Sequence, residues 1–411
     1  MNLKKAVMYG AGNIGRGFIG ALFSQAGYTV TFVDIADEVV DRLNREHRYP
    51  VRMITNAGHE DVEITNVDAV HGENIKEVAD KIAAADIMAT AVGAPVLKYI
   101  VPNLAAGLKK RFASGTRPLN IIICENLMNA DKILADMLLA ELSNDEQVLF
   151  KQSVGLVEAS IGRMVPVQTP QMQDGEPLRV CVEPYGYLPV DKAAFKGAIP
   201  DIKNMVPYEP FDFYLKRKLY IHNMGHAVCA YLGKYHQYSY IYETIENADI
   251  QLMVHHAMLE SARALSKKYN VPLAGITEHI DDLIFRFHNQ ALLDTCDRVG
   301  ADPKRKLGLD DRLIGAALLC LDQEVIPAHI CIGIGGAIFD YIEDHQLDQT
   351  TDQAAVILRE ISGLNQDGAR NEQLLFEYAL NMYKLFQQER TADDLRQQAM
   401  LMIAAHSGDI I

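Results

Sequence analysis

The first 34 residues contain a short apolar segment, a glycine-rich turn and a second apolar segment that ends in an acid. Lys4 to Tyr9 is long enough for one buried strand and leads directly into the G-x-G-x-x-G pattern of Gly10 to Gly15. Apolar residues then recur at helical spacing, and Tyr28 to Val33 predicts a second strand, followed by Asp34. This order indicates a βαβ unit at the start of a parallel sheet.

The same pattern fits a dinucleotide. Gly10 permits the tight turn, Gly12 lets the backbone approach a pyrophosphate, and Gly15 lets the helix pack on the strand. The helix amino terminus presents free N–H groups to the phosphates, and the acid accepts hydrogen bonds from the ribose. A glycine-rich turn of a flavodoxin-like sheet is the structural alternative. The predicted cofactor contacts are Gly10, Gly12, Asn13, Ile14, Gly15, Asp34, Val92 and Gly93.

Charges near the second strand favour NAD over NADP. The carboxylate of Asp34 would repel a 2′-phosphate, and Ile35 to Asp37 contain no arginine that could accommodate one. Arg16, just inside the helix, either contacts a phosphate of the cofactor or substrate or reaches solvent.

Strand-like and helix-like segments alternate up to about residue 195, which predicts a Rossmann-type, doubly wound parallel sheet. Asp86 to Val92 stops before Gly93, and Leu119 to Cys124 stops before Glu125 and Asn126, so ligands are expected at these strand ends. Long helical segments dominate afterwards. The sequence therefore predicts a dinucleotide-binding domain over residues 1–195 and a mainly helical, substrate-binding and catalytic domain over 196–411.

A second glycine cluster, Gly333 to Ala337, resembles a nucleotide loop but lacks a preceding strand and a following acid. We interpret it as a site of close helix packing.

Composition excludes several classes of function. The net charge of −15 argues against general nucleic-acid binding, and no apolar segment is long enough to span a bilayer. The six cysteines are scattered, as expected of buried reduced thiols, and no signal peptide precedes the first strand. We expect a cytoplasmic monomer or homodimer with a small-molecule substrate and no nucleic-acid or membrane partner.

The segment from Lys218 to His226 suggests a catalytic role for the helical region. If each residue of a helix turns about 100°, then Lys218, Asn223 and His226 share one side. A lysine made less basic by burial exchanges a proton, a carboxamide donates to an oxyanion and an imidazole orients a hydroxyl. This combination suits interconversion of an alcohol and a ketone without a metal. A solvated helix face is the alternative.

A cluster of basic residues is unusual in an acidic protein. One interpretation is a pocket for a substrate phosphate, and the other is a solvated loop whose cations pair with neighbouring aspartates. The cluster consists of Arg298, Lys304, Arg305, Lys306 and Arg312.

Five motifs together resemble the polyol-specific long-chain dehydrogenase/reductase family, over nearly the full length of the chain. They are GAGNIGRGFIG (10–20), TAVG (90–93), LNIIICEN (119–126), KLYIHNMGHAVCAYLGK (218–234) and RVGADPKRKLGLDDRLIG (298–315).

The resemblance implies an NAD-dependent oxidoreductase that interconverts D-mannitol 1-phosphate and D-fructose 6-phosphate. Lys218 would be the acid/base, Asn126 and Asn223 the oxyanion hole, and His226 would orient the substrate. Arg298 and Lys306 would contact the polyol chain, and Arg305 is a further candidate substrate contact. Two segments depart from the family pattern, Gly162 to Pro166, which lacks an acid before its arginine, and Gln290.

Three alternatives remain. A related enzyme could act on an unphosphorylated polyol or a hexuronate with the same residues. Tyr214 and Lys218 have the Y-x-x-x-K spacing of short-chain dehydrogenases, although that family has another glycine motif and a shorter chain. A non-catalytic NAD sensor could retain the fold, but it would not need a proton-transfer lysine.

Overall fold

The computed structural model describes residues 4–115 and 117–407. These residues form two compact units that divide between Asp212 and Phe213. The sequence predicts a boundary near residue 195. The units divide later because the strand Leu188–Asp191 pairs in parallel with Met205–Tyr208, so both strands belong to the first unit.

A six-stranded parallel sheet forms the centre of the first unit, in the order β5-β2-β1-β6-β7-β8. Successive strands extend the sheet first to one side of β1 and then to the other, as in a doubly wound Rossmann-type fold. The predicted fold class is therefore confirmed. The strands of the unit are β1 (Lys4–Tyr9), β2 (Tyr28–Asp34), β3 (Arg48–Thr55), β4 (Gly58–Thr65), β5 (Val67–His71), β6 (Ile87–Thr90), β7 (Leu119–Ile123), β8 (Val154–Glu158), β9 (Val180–Val182), β10 (Leu188–Asp191) and β11 (Met205–Tyr208).

Both faces of this sheet are buried. Alternate residues of β1 enter different apolar clusters, Ala6 and Met8 on one face and Val7 and Tyr9 on the other. Burial on two faces explains why these strands are apolar without alternation. The helices of the unit are a π-helix (Gly15–Gly20), α1 (Ala21–Gln25), α2 (Asp37–Glu46), α3 (Ile75–Ala84), α4 (Leu97–Ser114), α5 (Ala130–Glu141), α6 (Asn144–Ser153) and α7 (Pro170–Gln173).

The second unit is mainly helical, as predicted. Its elements, with α8 beginning one residue before the division, are α8 (Asp212–Arg217), a π-helix (Lys218–Asn223), α9 (Met224–Tyr235), α10 (Ile241–Glu246), α11 (Ala248–Tyr269), α12 (Leu273–Phe287), a 3₁₀ turn (Gln290–Leu292), α13 (Cys296–Gly300), α14 (Pro303–Lys306), α15 (Ile314–Asp322), α16 (Ala328–Asp344), α17 (Thr351–Glu360), α18 (Arg370–Phe386) and α19 (Ala392–Ser407).

The second glycine cluster lies inside α16, where it allows neighbouring helices to approach closely. A Cβ on Gly333 would collide with Val228 of α9, and one on Gly335 would lie 3.0 Å from backbone atoms of Met382 and Tyr383 in α18. The interpretation as close helix packing is confirmed. Among the described helices, none has the length and apolar character needed to cross a membrane.

Candidate active site

The glycine-rich loop after β1 has the shape that a bound pyrophosphate requires. Gly10 has a φ of +99°, and a Cβ there would collide with the carbonyl oxygen of Ala91. A Cβ on Gly15 would collide with the carbonyl oxygen of Gly10. Gly12, by contrast, is exposed and has no atom within 4 Å of its ideal Cβ position. The two outer glycines shape the turn, and the middle one leaves open space beside the helix amino terminus.

Asp34, at the end of β2, links that strand to the glycine-rich loop. Its Oδ2 accepts a 2.6 Å hydrogen bond from the N–H of Ala11. Its Oδ1 accepts hydrogen bonds from the N–H groups of Ile35 and Ala36 at 2.8 and 3.1 Å. A carboxylate has about four acceptor positions, so capacity remains on Oδ2 for a ribose hydroxyl.

Glu125, which the sequence analysis did not select, holds the loop that follows β6. Its Oε1 accepts a hydrogen bond from the N–H of Val92 at 3.0 Å, and its Oε2 accepts one from Gly93 at 2.8 Å. The side chain is buried, and the next residue, Asn126, is exposed. The sequence signal was an acid at the end of a buried strand. Glu125 therefore fixes the backbone of two predicted cofactor contacts.

Arg16 is buried, so it does not reach solvent, which was one of the two alternatives that the sequence suggested; contact with a phosphate stays a prediction. Its Nε and Nη1 donate hydrogen bonds to the carbonyl oxygens of Ala11 (2.6 Å) and Leu178 (2.5 Å). Burial also lowers the pKa of its guanidinium. With two of its nitrogens bonded to backbone carbonyls, Arg16 holds the glycine-rich loop in place.

The predicted catalytic segment of the second unit is interrupted by a π-helix. The 100° step of an α-helix does not apply from Lys218 to Asn223, because a π-helix bonds residue i to i+5. That pattern tends to bring residues five apart onto one side of the helix, so we expect Lys218 and Asn223 to be neighbours. Both side chains are half-buried. The predicted angles do not apply to a π-helix, and a shared side for these two residues stays a prediction.

His226, on the first turns of α9, contacts an aromatic ring and a carboxylate. Its ring stacks on Phe287, with ring centres 4.7 Å apart. Its Nε2 lies 3.2 Å from Oδ2 of Asp294. The two atoms are at ion-pair distance without the alignment of a hydrogen bond, so the carboxylate acts on the ring mainly through charge.

His222 lies on the same π-helix as Lys218 and is close to cationic side chains. Burial lowers its pKa well below the ordinary value, and the positive charges of Arg286 and Lys218 act in the same direction. His222 is therefore a neutral core histidine at physiological pH.

Asp294 also binds Arg298, so one carboxylate contacts two predicted site residues. The Nε of Arg298 donates a 2.7 Å hydrogen bond to Oδ1 of Asp294, and its Nη2 contacts the same oxygen. Burial raises the pKa of Asp294, but His226 and Arg298 outweigh that effect and keep it below its ordinary value. Sequence reasoning missed Asp294, whose only signal was its spacing of four residues before Arg298.

The basic cluster divides into ion-paired arginines and one buried lysine. The Nε of Arg305 donates to Oδ2 of Asp302 at 2.8 Å, and Arg312 pairs with Asp311 at 2.8 Å. For these arginines the structure agrees with the interpretation as a loop that pairs with aspartates. Lys306 differs, because it is 3% exposed and its Nζ has no hydrogen bond or ion pair within the described part of the chain. Burial and the two arginines lower its pKa to about 8.

Histidines and cysteines form no metal-binding arrangement in the described residues. No group of three or more histidine, cysteine or acidic side chains there could hold a metal ion. All six cysteines are buried, as predicted, and none of them forms a disulfide.

The parallel sheet, the open glycine-rich loop and the acid at the end of β2 define the dinucleotide-binding fold that nicotinamide-dependent dehydrogenases share. Comparison with sequence profiles specifies the family. The profile for the mannitol dehydrogenase Rossmann domain matches residues 4–204, and that for the mannitol dehydrogenase C-terminal domain matches residues 211–403. The chain belongs to the mannitol dehydrogenase family.

Two curated relatives are similar over most of their length. Mannitol-1-phosphate 5-dehydrogenase of Bacillus licheniformis is 37% identical over 88% of this chain and 96% of the relative. The enzyme of the same name from Thermoanaerobacter pseudethanolicus is 39% identical over 83% of this chain and 87% of the relative.

Two solved structures share the fold at low sequence identity. A Pseudomonas fluorescens mannitol 2-dehydrogenase in ternary complex with NAD and D-mannitol has a TM-score of 0.74 at 14% identity, over 98% of this chain and 94% of that one. A substrate-free D-sorbitol dehydrogenase has a TM-score of 0.72 at 13% identity, over 98% and 93%.

Proposed function

We propose that this protein uses NAD to interconvert D-mannitol 1-phosphate and D-fructose 6-phosphate. The observation that carries the substrate is the similarity to the two mannitol-1-phosphate 5-dehydrogenases over most of the chain. Lys306 supports it, because a lysine that is 3% exposed and has no ion pair with another described residue favours an anionic ligand.

The residues of the π-helix perform the proton transfer. The glycine-rich loop and Asp34 would hold a nicotinamide cofactor, which would supply the hydride acceptor for oxidation and the hydride donor for reduction. Lys218 removes the hydroxyl proton during oxidation and returns it during reduction. The amide of Asn223, which has no hydrogen bond to another described residue, donates to the oxygen as negative charge develops. His226 orients the substrate, and Asn126 is the second amide donor that the family resemblance implies.

Cofactor choice follows from the charge around the adenosine ribose. Asp34 is followed by Ile35 and Ala36, and the next side chain, Asp37, is a second acid. A 2′-phosphate would meet two carboxylates, so NAD is the preferred cofactor.

The decisive experiment measures NADH consumption with fructose 6-phosphate and, in parallel, with fructose. We expect turnover of the phosphate ester and little turnover of the free sugar, with NADPH much poorer than NADH. Activity on fructose or a hexuronate alone would contradict the proposed substrate and leave the mechanism intact. Absence of activity on all of them would favour an NAD sensor.

A further inference from the structure

We propose that Asp294 is a positioning residue that fixes His226 and Arg298 relative to each other. This inference rests on the proposed function, since it assumes that both partners contact the substrate. Asp294 itself is buried and need not touch the substrate.

The two oxygens of the carboxylate serve different partners. Oδ2 lies 3.2 Å from Nε2 of His226, whereas Oδ1 accepts the 2.7 Å hydrogen bond from Nε of Arg298. The imidazole and the guanidinium are therefore held by one group, so a displacement of the carboxylate would move both. Replacing the carboxylate by an amide would weaken the charge-assisted hydrogen bond to Arg298 and remove the negative charge that acts on the ring of His226.

The backbone around Asp294 is held firmly against the segment before α10. The carbonyl oxygen of Asp294 accepts a 2.9 Å hydrogen bond from the N–H of Ile241, and the N–H of Cys296 donates to the carbonyl oxygen of Ser239 at 2.9 Å. Between them, Thr295 pairs with Tyr240 as an isolated bridge. The carboxylate thus projects from a rigid base.

The ring of His226 is constrained in two ways. Stacking on Phe287 sets the plane of the ring, and the charge of Asp294 favours the orientation with Nε2 towards the carboxylate. Nδ1, which has no hydrogen bond to another described residue, is then the nitrogen left for a substrate hydroxyl. Loss of the carboxylate would permit the ring to flip within its stacking plane.

The test compares Asp294→Asn with Asp297→Asn, a change at an exposed acid three residues away. We expect the KM for fructose 6-phosphate to rise at least about ten-fold in Asp294→Asn, equivalent to about 1.4 kcal/mol. NADH affinity should change little, because the predicted cofactor contacts all lie in the first unit. Asp297→Asn should behave like the wild type. Equal behaviour of the two variants would overturn the proposal.

A double-mutant cycle separates positioning from a general loss of structure. If Asp294 acts through Arg298, Asp294→Asn should raise the KM by a much smaller factor in the Arg298→Gln variant than in the wild type. If the KM of the double variant rises by the product of the two single-variant factors, the two residues are not coupled.

Histidine NMR tests the same contact without substrate, so its result stands even if the proposed substrate is wrong. With ¹⁵N-labelled histidine, the Nε2 resonance of His226, assigned through His226→Gln, should shift in Asp294→Asn and remain unchanged in Asp297→Asn. An unshifted resonance in Asp294→Asn would disprove the positioning role, whereas failure of the proposed function would appear only as absent turnover by the wild type.

Discussion

Two buried ionisable side chains of the second unit differ in whether other side chains stabilise their charge. Asp294 has a partner near each oxygen, Arg298 at Oδ1 and His226 at Oδ2, and its pKa stays below the ordinary value despite burial. Lys306 has no such partner among the described residues, and its pKa falls to about 8. A buried charge without a partner is unfavourable. Lys306 is therefore a group whose ionised form a bound anion would stabilise.

Lys306 predicts how substrate affinity depends on pH. Its lowered pKa means that the ammonium is present below about pH 8 and lost above it. The KM for a phosphorylated substrate should rise between pH 7 and 9, and Lys306→Met should have a KM about ten-fold higher at pH 7 with a flat profile. The exposed Lys304, changed to methionine, is the matched control. A normal KM in Lys306→Met would remove it from the substrate site.

Lys218 has a sharper test, because its neighbour Lys216 provides a control. Lys216 donates a hydrogen bond to the hydroxyl of Tyr220 at 3.2 Å and has no predicted chemical role. Lys218→Ala should lower kcat by about 10²–10⁴-fold and leave NADH affinity unchanged, whereas Lys216→Ala should retain turnover. Steady-state rates and NADH fluorescence titrations measure both quantities. Full activity in Lys218→Ala would favour the sensor.

At the scale of elements, both parts of the predicted site include a π-helix. One π-helix (Gly15–Gly20) follows the glycine-rich loop, and the other (Lys218–Asn223) carries the predicted acid/base and an amide donor. Such segments are rare and are found frequently at functional sites. Their hydrogen bonding depends on local packing, which residue periodicity does not specify, so the sequence predicted helix at both places without this detail.

Two glycine variants of the glycine-rich loop distinguish an effect on cofactor binding from an effect on folding. Gly12→Ala meets no atom within 4 Å, so the thermal unfolding temperature should hold while NADH affinity falls at least about ten-fold, because the new methyl group occupies the pyrophosphate position. Gly15→Ala collides with a backbone carbonyl, so it should lower both quantities. If Gly12→Ala binds NADH normally, the phosphates do not approach this residue.

At the scale of the whole molecule, the predicted functional residues are divided between the two units. The glycine-rich loop, Asp34 and Glu125 lie in the first, and Lys218, His226 and Asp294 lie in the second. The stability of the chain also depends on Glu158, an acid at the end of β8. Burial and the charge of Asp131 raise the pKa of Glu158 to about 7, although the N–H of Ala130 donates a hydrogen bond to it at 2.9 Å.

Glu158 predicts a pH dependence of unfolding. In the folded protein the pKa of Glu158 is about 7, above the ordinary 4.5. The carboxyl therefore contributes its full stability below about pH 4.5, and this contribution is lost as the pH rises through about 7. Glu158→Gln is neutral at every pH. It should therefore become more stable than the wild type between pH 5 and 8, by an amount on the order of 1–3 kcal/mol at pH 8.

Thermal unfolding at pH 5, 6, 7 and 8 measures this difference, with the exposed Glu141→Gln as the control. A difference from the wild type that does not vary with pH would show that Glu158 does not titrate in this range.

The sequence by itself determined the alternation of strands and helices in the first unit and the strand, turn, helix and strand at its start. Those features depend on short-range patterns: apolar runs that end in glycine or an acid predict strands and turns, and β1, β2 and the glycine-rich loop occur where expected. The packing role of the glycines in α16 was equally readable, since no strand precedes them.

Only the tertiary structure decided which charged groups meet. Glu125 binds the loop after β6 from a different strand, Arg16 crosses to Leu178, and Asp294 reaches His226 on α9. These contacts join residues far apart in the chain, so spacing along the sequence does not report them. Lys306 and Arg305 are close in sequence and alike in charge, yet one is buried without a partner and the other is paired with an aspartate. The burial of each side chain and its neighbours, both of which are set by the fold, decide whether a lysine or arginine is available to a ligand or is paired at the surface.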